Sequence, residues 1–192
     1  VEAIVQTGPG RWLRMRDPFR VLEAVNADGA GEVIADVERL TRDAGCYAAG
    51  YVAYEAGAAF GLPVHDGAPG AALPLAWFGL FEPASVHEVA ALPAGGAFQL
   101  DRLVPSLDRA AFGRAFEKIR QHLADGDTYQ VNFTFRMRGA FAGDPLGLFG
   151  HLAREQRGQF CAFLRTADHA ICSASPELFF SLDGRTIATR PM

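Results

Sequence analysis

The sequence predicts an α+β fold in which helices are interleaved with short, mostly antiparallel strands. Three observations carry this reading. Two segments space their apolar residues at helical intervals and end at a glycine, and a series of short apolar or alternating runs is bounded by Gly, Pro and Asp. The order of these segments lacks the strand–helix–strand alternation that a parallel sheet needs.

Trp12 to Asn26 alternates around Pro18 and reads as extended chain. Gly31 to Asp43 places Val33, Val37 and Leu40 on one helical stripe with charges between, and Gly45 closes it. Cys46 to Tyr54 and Leu75 to Phe81 are aromatic and apolar, which predicts two buried strands; Gly57 to Leu73 between them is rich in Gly, Ala and Pro and predicts an irregular surface loop. Pro83 to Gly96 carries Pro93 and Gly95-Gly96 and is expected to be a connection, dividing an N-terminal layer (1–96) from the remainder (97–192).

Ser106 or Asp108 caps a second helix that runs to about Ala124 with Phe112, Phe116, Ile119 and Leu123 on one stripe. From Thr128 to Arg138 the chain alternates, Tyr129, Val131, Phe133 and Phe135 on one side and Gln130, Asn132, Thr134 and Arg136 on the other, which predicts a strand with one face on the core. Asp144-Pro145 starts a third helix extending to about Arg154. Short strands are expected at 160–165, 170–173, 178–182 and 186–189, with a tight turn at Asp183-Gly184.

Composition narrows the function. The 192 residues are 49% apolar with 15 Phe, ample for a buried core. A formal charge of −4 gives no basic face for phosphates, so nucleic acid is not an expected partner. No apolar run reaches the roughly 20 residues of a membrane span, and Val1-Glu2 with Arg11, Arg14 and Arg16 close by does not resemble a secretory leader. A soluble cytoplasmic enzyme is the expectation. Cys46, Cys161 and Cys172 are too scattered for a disulfide framework and read as buried apolar residues. His65, His87, His122, His151 and His169 form no metal-ligand spacing, and the glycines at 67–70 lack the Lys-Ser/Thr of a phosphate loop.

Four residues are candidates for chemistry. Glu177 follows Ser175-Pro176: it is either a carboxylate in a helix-start turn capped by Ser175, or an acid partly desolvated by Cys172 and Phe179-Phe180 and thereby suited to delivering a proton. Gln130 is either a polar residue on a solvated strand face or a neutral group facing substrate. Thr189 and Arg190 lie on the last strand, where the guanidinium either points to solvent or pairs with a carboxylate.

Gly126-Asp-Thr-Tyr-Gln130-Val-Asn132, Ser175-Pro-Glu177 and Thr189-Arg-Pro-Met192 occur in the order and spacing of the chorismate-binding enzymes, which this chain resembles. The front, Gly50–Gly57 (GYVAYEAG) and Pro74–Leu80 (PLAWFGL), looks like their aminodeoxychorismate synthase component I branch, including versions with a lyase fused downstream. The resemblance implies two packed, mostly antiparallel sheets with helices outside, and makes 97–192 the first part of the chorismate-binding region. It implies that a Lys-Gly-Thr motif bearing the nucleophile follows Met192 and that Mg²⁺ ligands lie in a C-terminal half. On that basis the lysine attacks C2 of chorismate, Glu177 protonates the departing C4 hydroxyl, and ammonia from a glutamine amidotransferase enters at C4. Gln130 stands where hydrating relatives carry a Lys that activates water, so amination is expected. Asn132 takes a positional role. Leu22-Glu23-Ala24 lacks the Ser of the tryptophan-sensing signature, so feedback control is not expected. The chain by itself is expected to be inactive and to expose open sheet edges. Anthranilate synthase component I and a non-catalytic ligand- or partner-binding piece are the alternatives.

Overall fold

The structure is a computed structural model that describes residues 1–64, 73–156 and 158–191. His65, the glycine patch at 67–70 and the rest of 65–72, about half of the loop expected at 57–73, lie outside the described residues. Two units are present, Val1–Gly95 with Pro145–Met192, and Gly96–Asp144.

In the first unit, β1 (Glu2–Gly8), β2 (Arg11–Arg16) and β3 (Arg20–Ala24) precede α1 (Ala27–Ala44), then β4 (Tyr47–Val52), β5 (Ala76–Phe81) and β6 (Val86–Val89) follow. The second unit holds β7 (Phe98–Leu100), β8 (Val104–Pro105), α2 (Arg109–Asp125), β9 (Met137–Arg138) and β10 (Phe141–Gly143). The chain then returns to the first unit as α3 (Pro145–Gln156), β11 (Phe160–Arg165), β12 (Ala170–Ser175), β13 (Leu178–Asp183) and β14 (Thr186–Arg190).

The α+β class read from the sequence is the one observed. The first unit has two principal sheets, β12-β11-β1-β2-β6 and β3-β5-β4, and their ladders are antiparallel throughout. They pack face to face: Ala3, Met15 and Leu164 of the larger sheet meet Ala49, Trp77 and Phe81 of the smaller. On the far side of the smaller sheet, Ala30 and Val33 of α1 cover Leu22, Ala24, Ala76 and Leu80. Leu146 and Phe149 of α3 cover Ile4, Trp12, Cys161 and Phe163 on the far side of the larger one. The result is a helix–sheet–sheet–helix stack. Side chains such as Phe81, Phe149, Phe163, Ile4 and Leu80 are fully buried, each worth about 1.5–3 kcal/mol in apolar transfer.

Local signals explain the helix ends. Asn26 accepts a hydrogen bond from the Gly29 N–H (2.8 Å) at the start of α1, and Gly45 in the left-handed region (φ 63°) closes it on Thr41 O. Asp108 accepts from the Ala111 N–H (2.7 Å), as expected for α2, which ends at Gly126. Gly50 has a different job. A Cβ there would be driven into the Trp77 carbonyl oxygen and the Phe78 ring, so only a hydrogen fits between β4 and β5.

Several expectations are corrected. Tyr47–Val52 is not a buried strand but an edge that, among the described residues, pairs only with β5, and Tyr47 and Val52 are exposed. The stretch expected to be an irregular loop begins as a 3₁₀ helix, Tyr54–Phe60. The connection 83–96 contains β6, which extends the larger sheet through Trp12↔Val89 and Arg14↔His87. Most consequentially, the alternating segment 128–138 forms a ladder only at Met137–Arg138, which pairs with β8. The alternation itself survives: Phe133 and Phe135 both contact the Phe112 ring of α2, at 5.4 and 6.1 Å. What is absent among the described residues is a neighbouring strand to take up the backbone groups, and a period-two pattern cannot supply one. No residue of 96–144 is buried. The neck of this unit is tied by Gly96 N–H donating to the Asp144 carboxylate (2.7 Å) and Asp144 N–H to Ala97 O (3.0 Å).

At one end of the inter-sheet core, Tyr51 Oη lies 3.4 Å from His169 Nε2, joining β4 to the turn between β11 and β12. Burial raises the Tyr51 phenol above its ordinary value, and the charge of Glu23 adds to the shift. The neutral phenol is therefore favoured by folding. Its contribution is fully present below the unfolded value of about 10 and is lost as pH rises through the folded one. Tyr51→Phe should make the alkaline decline of stability shallower and remove the latest-ionising component of the 295 nm absorbance titration. In urea unfolding followed by Trp77 fluorescence, Gly50→Ala should lower stability by about 1–3 kcal/mol.

Candidate active site

Glu177 sits in the turn joining β12 to β13, and no helix starts there. The helix-start reading of Ser175-Pro-Glu177 is thus corrected: β12 enters the turn and β13 leaves it, so there are no free helical amides to cap. Ser175 acts on the turn instead. Its Oγ accepts from the Glu177 N–H (3.1 Å) and donates to the Glu177 carbonyl (3.0 Å), which fixes the backbone of the glutamate from both sides. Glu177 is half-buried beside the half-buried Cys172, but Phe179 and Phe180, expected to help desolvate it, are exposed.

The other end of the hairpin comes back to the same place. Asp183↔Thr186 closes a turn in which Gly184 takes φ 58°, and the register runs through Leu182↔Ile187 and Ser181↔Ala188, with a bulge before Leu178↔Arg190. Arg190 consequently stands opposite the residue next to Glu177, with Thr189 beside it; both are exposed. Gln130 belongs to the second unit, in the irregular segment after α2. It is exposed, and its carbonyl accepts from the Thr128 hydroxyl (3.1 Å). One hairpin therefore brings Glu177, Thr189 and Arg190 together, while Gln130 is positioned by a separate unit. Asn132 lies on the same exposed segment.

Remaining candidates take structural roles. Cys46 and Cys161 are buried and Cys172 is half-buried, all as free thiols, and burial pushes the Cys161 thiol up, away from nucleophilic use. His122 Nδ1 bonds the Asp127 carboxylate (2.7 Å) at the end of α2, and His169 Nδ1 lies 3.0 Å from Thr166 Oγ1. Among the described residues no group of three or more His, Cys, Asp or Glu is arranged to hold a metal. No described helix is long and apolar enough to cross a membrane.

Residues 84–192 match the family of chorismate binding enzymes. The chain belongs to that family. The match takes in the Glu177 turn, the hairpin and the Gln130 segment. The chain is 40% identical to aminodeoxychorismate synthase component 1 of Salmonella typhimurium over 87 residues, 45% of this chain and 19% of that protein. Against the Escherichia coli protein of the same name the figure is 38% over the same coverage. Anthranilate synthase component 1 3 of Haloarcula marismortui is 34% identical over 83 residues, 43% of this chain and 16% of that protein. The alignments thus span less than a fifth of the length of these curated relatives.

Sequence reasoning singled out Glu177 as a candidate but missed how it is held. The signal was present, since a Ser two residues before the key residue is the pattern of a side-chain-to-backbone turn. Removing both bonds with Ser175→Ala should speed hydrogen exchange at the Glu177 amide by about tenfold, whereas Ser175→Thr should preserve it; NMR exchange rates decide between them.

Proposed function

We propose that the chain forms part of an enzyme that aminates chorismate to 4-amino-4-deoxychorismate, on the route to 4-aminobenzoate and folate, with ammonia delivered by a glutamine amidotransferase. The observation that carries the reading is the placement of Glu177. It is half-buried, and Ser175 fixes it where the hairpin returns Arg190. A carboxyl group so placed gives its proton to the C4 hydroxyl oxygen, which leaves as water, and ammonia takes the vacated carbon and sheds a proton. Arg190 offers a planar fork for a substrate carboxylate, with Thr189 beside it. Gln130 is neutral and cannot deprotonate water, which favours amination over hydration.

Mg²⁺ is part of this proposal only through residues outside these 192, because the described acidic residues form no cluster for it. The same holds for the family's lysine nucleophile: Lys118, in α2, is the single lysine of the sequence. The 192-residue chain is therefore proposed to be inactive by itself, and a lyase fused downstream is compatible with it. A second reading, anthranilate synthase component 1, is favoured by the relatives of that name that also align. The product separates the two, since a 2-amino product gives fluorescent anthranilate.

The test is Glu177→Gln in the longer protein that contains this chain, assayed with chorismate, ammonia and Mg²⁺. Turnover should fall by about 10²–10⁴-fold with chorismate binding retained. Unchanged turnover removes Glu177 from the chemistry. Calorimetric titration of the 192-residue chain with chorismate tests the non-catalytic reading, which binding without turnover favours.

A further inference from the structure

Along β2, the face that buries Trp12 against α3 carries Arg14 and Arg16 at the next two positions. Their cross-strand partners are His87 of β6 for Arg14 and Glu2 of β1 for Arg16, so all four residues share one face. Glu2 is buried. Its Oε1 accepts from Arg14 Nε (2.7 Å) and Arg16 Nε (3.0 Å), and Arg14 Nη2 lies 2.7 Å from the same oxygen. One carboxylate thus serves two guanidiniums, each of which keeps N–H donors to spare.

Both arginines line a groove of about 320 Å³ together with Asp17, Ser85, His87 and Val89. Among the described residues, Arg14 Nη1, both terminal nitrogens of Arg16, the Ser85 hydroxyl and the His87 ring have no protein hydrogen-bond partner. Two forks, a hydroxyl and an imidazole converging on one concavity match the oxygens of a small oxyanion, and Glu2 pre-orients both forks. Asp17 sets the size of the charge. Its carboxylate also lines the groove, so a second anionic group on the ligand is repelled there.

We propose that this groove binds a small molecule through one oxyanion, a phosphate or a carboxylate, at a site separate from the Glu177 turn. The proposal does not depend on the catalytic reading.

It is tested on the 192-residue chain by NMR, following the arginine Nε–H signals and the His87 ring during titration with inorganic phosphate and, separately, acetate at constant ionic strength. Saturable shifts at these groups are expected; stronger saturation by phosphate assigns a phosphate-bearing ligand, and stronger saturation by acetate a carboxylate. Arg16→Gln leaves Glu2 its closer partner Arg14 and should weaken binding by about tenfold, and His87→Gln should weaken it as well. Asp17 sits at φ 53°, a conformation Asn also tolerates, so Asp17→Asn should keep the fold and tighten binding by about threefold. Shifts that never saturate, affinity unchanged in both Arg16→Gln and His87→Gln, or weaker binding in Asp17→Asn would overturn the proposal.

Discussion

Trp77 and Phe81 point from β5 into the core shared by the two sheets, while Ala76, Phe78 and Leu80 point the opposite way onto α1. Every other layer of the first unit is arranged around this strand, which is covered on both faces and paired on both edges. Double coverage explains its unbroken apolar sequence, since neither face has to meet water. Gly50 answers a local need: at this position of the β4–β5 ladder a Cβ would run into the Trp77 carbonyl and Phe78. Double coverage likewise gives the larger sheet its two-sided strands, with Ile4 and Phe163 under α3 and Ala3 and Leu164 against the smaller sheet.

Helices and turns were readable because their determinants are local. Asp108 before the stripe of α2 and Gly45 after that of α1 were read directly, whereas the Asn26 cap, which starts α1 at Ala27 and not at Gly31, was missed because the segment before it alternates like extended chain. Strands that depend on distant partners were not readable. β1 begins at the second residue, and although the Gly8-Pro9-Gly10 turn after it marks a hairpin with β2, nothing local shows that it lies in the middle of the five-stranded sheet, where β11 pairs with its other side. β6 hid behind Pro83 and Pro93 for a similar reason, as its assignment rests on the register with β2. The converse failure is at 128–136, where the sequence has the pattern of a strand and the described chain offers no ladder partner. Pattern specifies which side chains share a face; hydrogen bonding to a second strand decides whether a sheet exists.

For the site, the residue types were legible and their support was not. Glu177, Thr189 and Arg190 stand out in the sequence as separate motifs, and only the Leu178↔Arg190 register joins them. The bulge ahead of that pair is invisible to a period-two reading. The Glu2 cluster shows the same limit in another form: Arg14 and Arg16 two apart on β2 announce a shared face, but the buried carboxylate that holds them comes from the neighbouring strand, in a register the sequence does not show.

The position of β1 bears on how the molecule is made. Its neighbour β2 emerges at once, but β11 follows some 150 residues later, after the whole 96–144 unit has been synthesised. At a translation rate of about 5–20 residues per second, one side of this apolar strand stays open on the nascent chain for roughly ten to thirty seconds. Ribosome-bound intermediates therefore present an unpaired edge bearing Ala3, Ile4 and Val5, and chaperone engagement or mispairing in the cell should concentrate there until β11 arrives.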